Sequence, residues 1–213
     1  MNSTIKKIRA IAYLSLFLIG MNSTLAQEEL SQFPIELSGY NNGTFLPGKG
    51  ALGIWSRDFH PGIRLGTRYY YKDTPKSQWF QAVYFSYFYH ANAQHGIQFY
   101  TDFGYRYKIL PTLSAEGSLG FGYLRSIPDM DIFIFKNSTY ELLKPKGRNQ
   151  WMGTSSLKIA YDVESQLPIP LEVYLAYQFW VQSPFVNKYV PVLPNNSVHL
   201  GVIYYWNKPL NKD

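Results

Sequence analysis

The chain has 213 residues, 46% hydrophobic and 18% aromatic, with no cysteine and four histidines. Without cysteine there is no disulfide framework to replace a core and no lipid-bearing residue to make a lipoprotein, and the histidines supply no recognisable zinc spacing. The formal charge is +6, but three of the 20 basic residues and none of the 14 acidic ones lie in the first 26 positions. The remainder therefore carries 17 against 14, or +3, too small an excess to argue for nucleic-acid binding.

At the N-terminus Lys6, Lys7 and Arg9 precede an apolar run from Ala10 to Gly20, and Thr24 with Ala26 gives the small residues that a signal peptidase needs. This predicts a signal peptide over 1–26, with a run too short to span a bilayer as a helix, and a single domain over 27–213. From there the texture is that of strands. Phe33–Tyr40 sets Ile35 and Leu37 against Glu36 and Ser38; Pro61–Lys72 sets Ile63, Leu65, Tyr69 and Tyr71 against Arg64, Gly66 and Arg68. Trp79–His90 is aromatic on both faces, with Val83, Phe85, Tyr87 and Tyr89 opposed to Ala82, Tyr84, Ser86 and His90. His95–Lys108 and Leu113–Ser126 form a hairpin of alternating character, with Phe99, Phe103, Leu119 and Phe121 on one face and Gln98, Asp102, Arg106 and Glu116 on the other. Trp151–Val163, Leu171–Gln182 and Ser197–Trp206 repeat the pattern. Side chains of period two lie on opposite faces of a pleated strand, so each strand has an apolar and a polar face. A half-buried soluble sheet would share that alternation.

Loop lengths and aromatic placement decide between the two. On one side the connections at 41–60, 126–150 and 183–196 are long and that at 91–95 is short, while those on the other, at 73–78, 109–112 and 164–170, are all short, the asymmetry of outer-membrane barrels. The segment 127–150, with Pro128, Pro145 and Gly147, reads as a long loop, although Ile132–Phe135 could extend a strand. Tyr69, Tyr71, Trp79, Tyr105, Tyr107, Tyr204 and Trp206 gather at the short-turn ends of their strands. Tyr87, Tyr89, Phe121, Tyr123, Tyr177 and Phe179 gather at the long-loop ends. Two such belts suit the two membrane interfaces. The expected fold is therefore all-β, an eight-stranded antiparallel up-and-down transmembrane barrel.

On these strands, and on segments such as HPGIRLGTRYYY, QHGIQFYTDFGYRYK and LSAEGSLGFGYL, the chain resembles the small eight-stranded outer-membrane barrels of OmpA and OmpX type, including Bacteroidetes-type members. The resemblance spans the mature chain and rests on architecture, with no diagnostic short motif. It implies an outer-membrane location in a Gram-negative cell and contact with outer-membrane lipid and lipopolysaccharide. It also implies handling by the barrel-assembly machinery, which reads a terminal aromatic such as Tyr205 or Trp206; here a polar tail, Asn207–Asp213, follows. A monomer without cofactor or metal is expected.

Strand parity places Glu36, Arg64, Arg68, Asp102, Arg106, Glu116, Lys158, Asp162 and Glu172 in the lumen. The interior of so small a barrel is filled by side chains, so these nearly balanced charges are expected to pair into a closed polar plug. Asp102, Arg106 and Glu116 are expected to meet in one network. A narrow solute or ion channel is the alternative reading of the same residues. A lipid A deacylase-like enzyme is a further alternative, which would need an imidazole to activate a hydroxyl. The candidates for that, Ser197 and His199, and less so Ser86 and His90, fall on the lumen face, so no catalytic residue is assigned. His95 is expected at the tight outer turn, and Gly117, Gly120 and Gly122 are expected to relieve crowding. A loop surface of Trp55, Arg57 and Phe59 with Lys144, Lys146 and Arg148 could neutralise lipid phosphates or bind a partner.

Overall fold

A computed structural model describes residues 34–44, 59–136, 139–143, 147–164, 166–185 and 189–206. The expected signal peptide at 1–26, Phe33, Trp55, Arg57, Lys144, Lys146 and the tail 207–213 lie outside the described residues. Among the described residues ten strands follow in order: β1 (Pro34–Thr44), β2 (Pro61–Asp73), β3 (Ser77–His90), β4 (Gln94–Leu110), β5 (Leu113–Pro128), β6 (Ile132–Lys136), β7 (Thr139–Leu143), β8 (Arg148–Asp162), β9 (Leu171–Ser183) and β10 (Leu193–Tyr205). Eight of them close into a barrel of order β1-β10-β9-β8-β5-β4-β3-β2, every pair antiparallel. The closing pair runs from Pro34 opposite Tyr205 to Thr44 opposite Asn195. Closure leaves no barrel strand with an unpaired edge, which is what allows strands to cross a hydrocarbon layer without exposed backbone polar groups.

The barrel strands run from 11 to 17 residues, longer than the sequence alternation alone marks, because the ladders continue past the last apolar residue into the rims. The segment expected to be one long loop differs more. It holds β6 and β7, paired with each other as a separate two-stranded ribbon, and β8 already begins at Arg148. Two five-residue strands offer too few alternations to stand out between Pro128 and Pro145.

Alternation now has a direction. Leu119 and Leu200, 68% and 65% exposed, lie on the outside with Phe85, Phe99, Leu157 and Leu175. The intervening residues are buried inside. An apolar belt wrapped around the whole outer surface fits a hydrocarbon solvent and would be an extreme exposed patch in water. Both aromatic belts face outward as well. At the short-turn end Trp79 packs on Phe103 and Tyr105 at 5.5 and 4.9 Å, and Tyr204 meets Trp206 edge-on at 6.2 Å.

Inside, rings lie over cross-strand glycines. Tyr40 faces Gly62, Tyr84 faces Gly66, Phe88 faces Gly96, Phe80 faces Gly104, Tyr100 faces Gly122 and Tyr174 faces Gly201. A Cβ at Gly62 would stand 2.2 Å from the Tyr40 ring, and one at Gly96 would stand 2.1 Å from that of Phe88. The missing side chains make room for large rings in a narrow barrel. The result is an aromatic cluster of Tyr40, Phe80, Tyr84, Phe88, Tyr100 and Trp180, with Leu124 and Met152.

Candidate functional site

The inward face that carries the charges comes from six strands, and their side chains meet near the barrel axis. Glu36 on β1 is 1% exposed and accepts from three cations. Arg64 reaches its Oε1 at 2.9 Å, Lys158 the same atom at 2.8 Å, and Arg68 reaches Oε2. Tyr84 donates to Oε2 at 3.1 Å. Glu116 on β5 is the second hub: Arg68 lies 3.0 Å and Arg106 2.5 Å from its Oε1, and Lys158 lies 3.5 Å from its Oε2. Arg106 then forks onto Glu172 at 3.0 and 2.6 Å, with Tyr205 donating to the same carboxylate at 2.8 Å. Arg68 bridges the two hubs, so one continuous chain of ion pairs connects β1, β2, β4, β5, β8 and β9.

Rings complete the shell. The guanidinium of Arg64 sits 4.4 Å from the Tyr84 ring, that of Arg68 4.6 Å from Phe80, and the Lys158 ammonium 4.3 Å from Tyr174. Arg64 also donates to the hydroxyls of Tyr100 and Tyr174, each at 3.2 Å. Cation–π contacts of this kind gain strength when water is excluded. Phe80, Tyr100 and Tyr174 therefore belong to the site, although sequence reasoning did not count them. The signal that would have found them is the strand parity that selected the charges.

Asp102 departs from the expected triple. Arg106 and Glu116 pair directly, but Asp102 makes no ion pair among the described residues; it accepts from Thr154 at 2.6 Å and Ser118 at 3.4 Å. One position further along β4 parity, at Gly104, there is no side chain to carry the network down to Arg106. Asp102 instead borders a cavity of about 10 Å³ shared with Arg64, Glu116, Ser156 and Lys158. Its polar groups and its size suit a single water. With Asp102, four carboxylates face four cations. Asp162, the ninth expected lumen residue, is only half-buried and lines an open recess of about 250 Å³ at the short-turn mouth, with Arg106, Glu172 and Tyr205.

The hydroxyl–imidazole pair Ser197 and His199 lies inside. His199, 1% exposed, has Nε2 at 3.2 Å from Ser197 Oγ and Nδ1 at 3.3 Å from Ser38 Oγ, and it stacks on Tyr40 at 4.4 Å. Among the described residues neither nitrogen meets a carboxylate. Ser86 bonds Tyr40 at 2.5 Å, and His90 stacks on His60 at 3.6 Å, so that pair is not assembled. Of the loop surface, Phe59 is exposed, and Arg148 donates to the Phe185 carbonyl at 2.6 Å. Among the described residues no cluster of three or more His, Asp or Glu is placed to hold a metal.

A closed eight-stranded antiparallel barrel, apolar outside, belted by aromatics at both rims and filled with paired charges, is the architecture of the small outer-membrane β-barrels. No family model matches the chain and no curated protein matches it. Among solved structures it is similar to Neisserial surface protein A, at 10% identity, covering 82% of this chain and 97% of that one with a TM-score of 0.51. It is also similar to Ail, the attachment invasion locus protein of Yersinia pestis, at 13% identity, 82% and 97% coverage and a TM-score of 0.47. A third similar structure is the outer membrane enzyme PagL, at 9% identity, 78% and 97% coverage and a TM-score of 0.44. At such identities the shared property is the fold.

Proposed function

We propose that the protein is an integral outer-membrane barrel, sealed by its own lumen network, that acts as a structural or loop-mediated binding protein. The observation that carries this reading is the continuous ion-pair chain through Glu36, Arg68, Glu116, Arg106 and Glu172. Buried charges committed to one another are not free to replace the hydration shell of a passing ion, and separating them is costly. Long connections at one end of a rigid scaffold provide the interaction surface. Arg148, exposed at the start of β8, gives that surface a basic group to meet the lipopolysaccharide phosphates of the outer leaflet. The partners this implies are outer-membrane lipid, lipopolysaccharide and, during biogenesis, the barrel-assembly machinery, with the barrel itself a monomer. The burial of Ser197 and His199 counts against a deacylase at that pair, because a lipid acyl chain does not reach the lumen.

Membrane fractionation with a heat-modifiability gel tests the reading. The protein is expected in the detergent-extracted outer-membrane fraction, migrating differently before and after boiling. Recovery in a detergent-free periplasmic fraction would contradict it.

A further inference from the structure

On the outer surface, at the long-loop rim and away from the lumen network, a phenol, an imidazole and a carboxylate stand in line. Tyr87 Oη on β3 lies 2.8 Å from His95 Nδ1 on β4, and His95 Nε2 lies 3.1 Å from Asp129 Oδ1, just past the end of β5. The other Asp129 oxygen accepts from the Tyr89 hydroxyl at 2.9 Å and from the Asn92 N–H at 3.0 Å. Asn92 presents that N–H from a left-handed turn position, φ 59°. Hydrogen bonds from Tyr89, Asn92 and His95 hold the Asp129 carboxyl below its ordinary range. An ionised carboxylate is an acceptor only, so the imidazole must donate through Nε2. In the neutral ring this leaves the Nδ1 lone pair facing the Tyr87 hydroxyl.

We propose that Tyr87, His95 and Asp129 form a nucleophilic site for carboxylic esters of membrane lipid. Tyr87 is 38% exposed and belongs to the aromatic belt of the long-loop end, the level at which headgroups meet acyl chains. In the first step Tyr87 Oη bonds to the ester carbonyl carbon while its proton passes to His95 Nδ1. The bond from that carbon to the lipid oxygen breaks, and the departing oxygen takes the proton from His95 and leaves as an alcohol. The acyl group remains on Tyr87 as an aryl ester. In the second step water loses a proton to His95 and attacks the same carbon; the acid departs and Tyr87 recovers its proton. Tyr87 is the nucleophile, His95 the base, and Asp129 a positioning residue that fixes the tautomer. Only the choice of lipid as substrate rests on the membrane reading above, so the test uses a soluble ester in detergent.

The full mature chain, folded in detergent micelles and checked for heat-modifiable migration, is treated with p-nitrophenyl butyrate. Release of p-nitrophenol is followed together with intact mass and peptide mapping. A single acyl group on Tyr87 is expected, absent in Tyr87→Phe and unchanged in Tyr123→Phe, a belt tyrosine outside the relay. His95→Ala should slow acylation about 100-fold, with added imidazole restoring it, and Asp129→Asn should slow it less. Acylation spread evenly over the belt tyrosines, rates indifferent to His95→Ala, no rescue by imidazole, or no acylation at all would each overturn the proposal. None of these results bears on whether the lumen is sealed.

Discussion

Glu36 concentrates the energetics of the interior in one side chain. Burying a carboxylate carries a large desolvation cost, and the nearby Arg64, Arg68 and Lys158 offset it only while all of them stay in place. Removing the carboxylate leaves three cations facing one another. Glu36→Ala is therefore expected to destabilise the barrel by about 3–5 kcal/mol, read from urea unfolding in micelles by tryptophan fluorescence. A loss under about 1 kcal/mol would mean the pairs are solvated, as surface pairs are. Glu36, Arg64, Arg68, Arg106, Glu116, Lys158 and Glu172 were all legible in the sequence as charges at alternate positions. Their partners were not. The pairing of Arg106 with Glu116 was the exception, expected from the hairpin, whereas period two tells which face a residue is on but not its height in a sheared barrel, so the separation of Asp102 from both required the register. The His95–Asp129 bond was hidden for another reason: its partners come from β4 and the segment after β5, 34 residues apart.

Among the elements, the inner and outer faces of each strand obey opposite solvents. On β10, Leu200 faces outward near mid-strand. Leu200→Arg should cost about 2–4 kcal/mol in lipid vesicles, the penalty for a guanidinium near the midplane of a barrel's lipid face. In a soluble sheet the same change on an exposed position would cost almost nothing. On the inner face the limit is space. Gly62→Leu on β2 drives a side chain into the Tyr40 ring and is expected to cost about 1–3 kcal/mol by overpacking. The control Gly39→Ala, whose Cβ meets nothing within 4 Å, should fall within about 0.5 kcal/mol of the parent. Equal effects of the two substitutions in equilibrium unfolding would show that the ring-over-glycine packing does not set the inner shape. Of the three glycines expected to relieve crowding, Gly120 and Gly122 do, where a Cβ would stand 2.0 Å from Asp102 and 2.2 Å from Tyr100, whereas one at Gly117 would meet only Leu157 at 3.9 Å. Which ring lay over which glycine followed only from the cross-strand register.

At the scale of the whole molecule, strand number, face assignment and loop asymmetry were legible because each is repeated along the chain, and repetition averages out local ambiguity. The β6–β7 ribbon was not, since it is short and outside the repeating pattern. What the repetition could not say is whether the lumen conducts. The sealed interior proposed above is supported by ion pairs that run across it, rings packed among them, and a cavity beside Asp102 with room for about one water. Single-channel recording in planar bilayers tests this most directly, with insertion verified by heat-modifiable migration of the recovered protein. The sealed lumen predicts no discrete current steps above the lipid baseline across the physiological range of potentials. Stable, ion-selective steps from the inserted protein would contradict it.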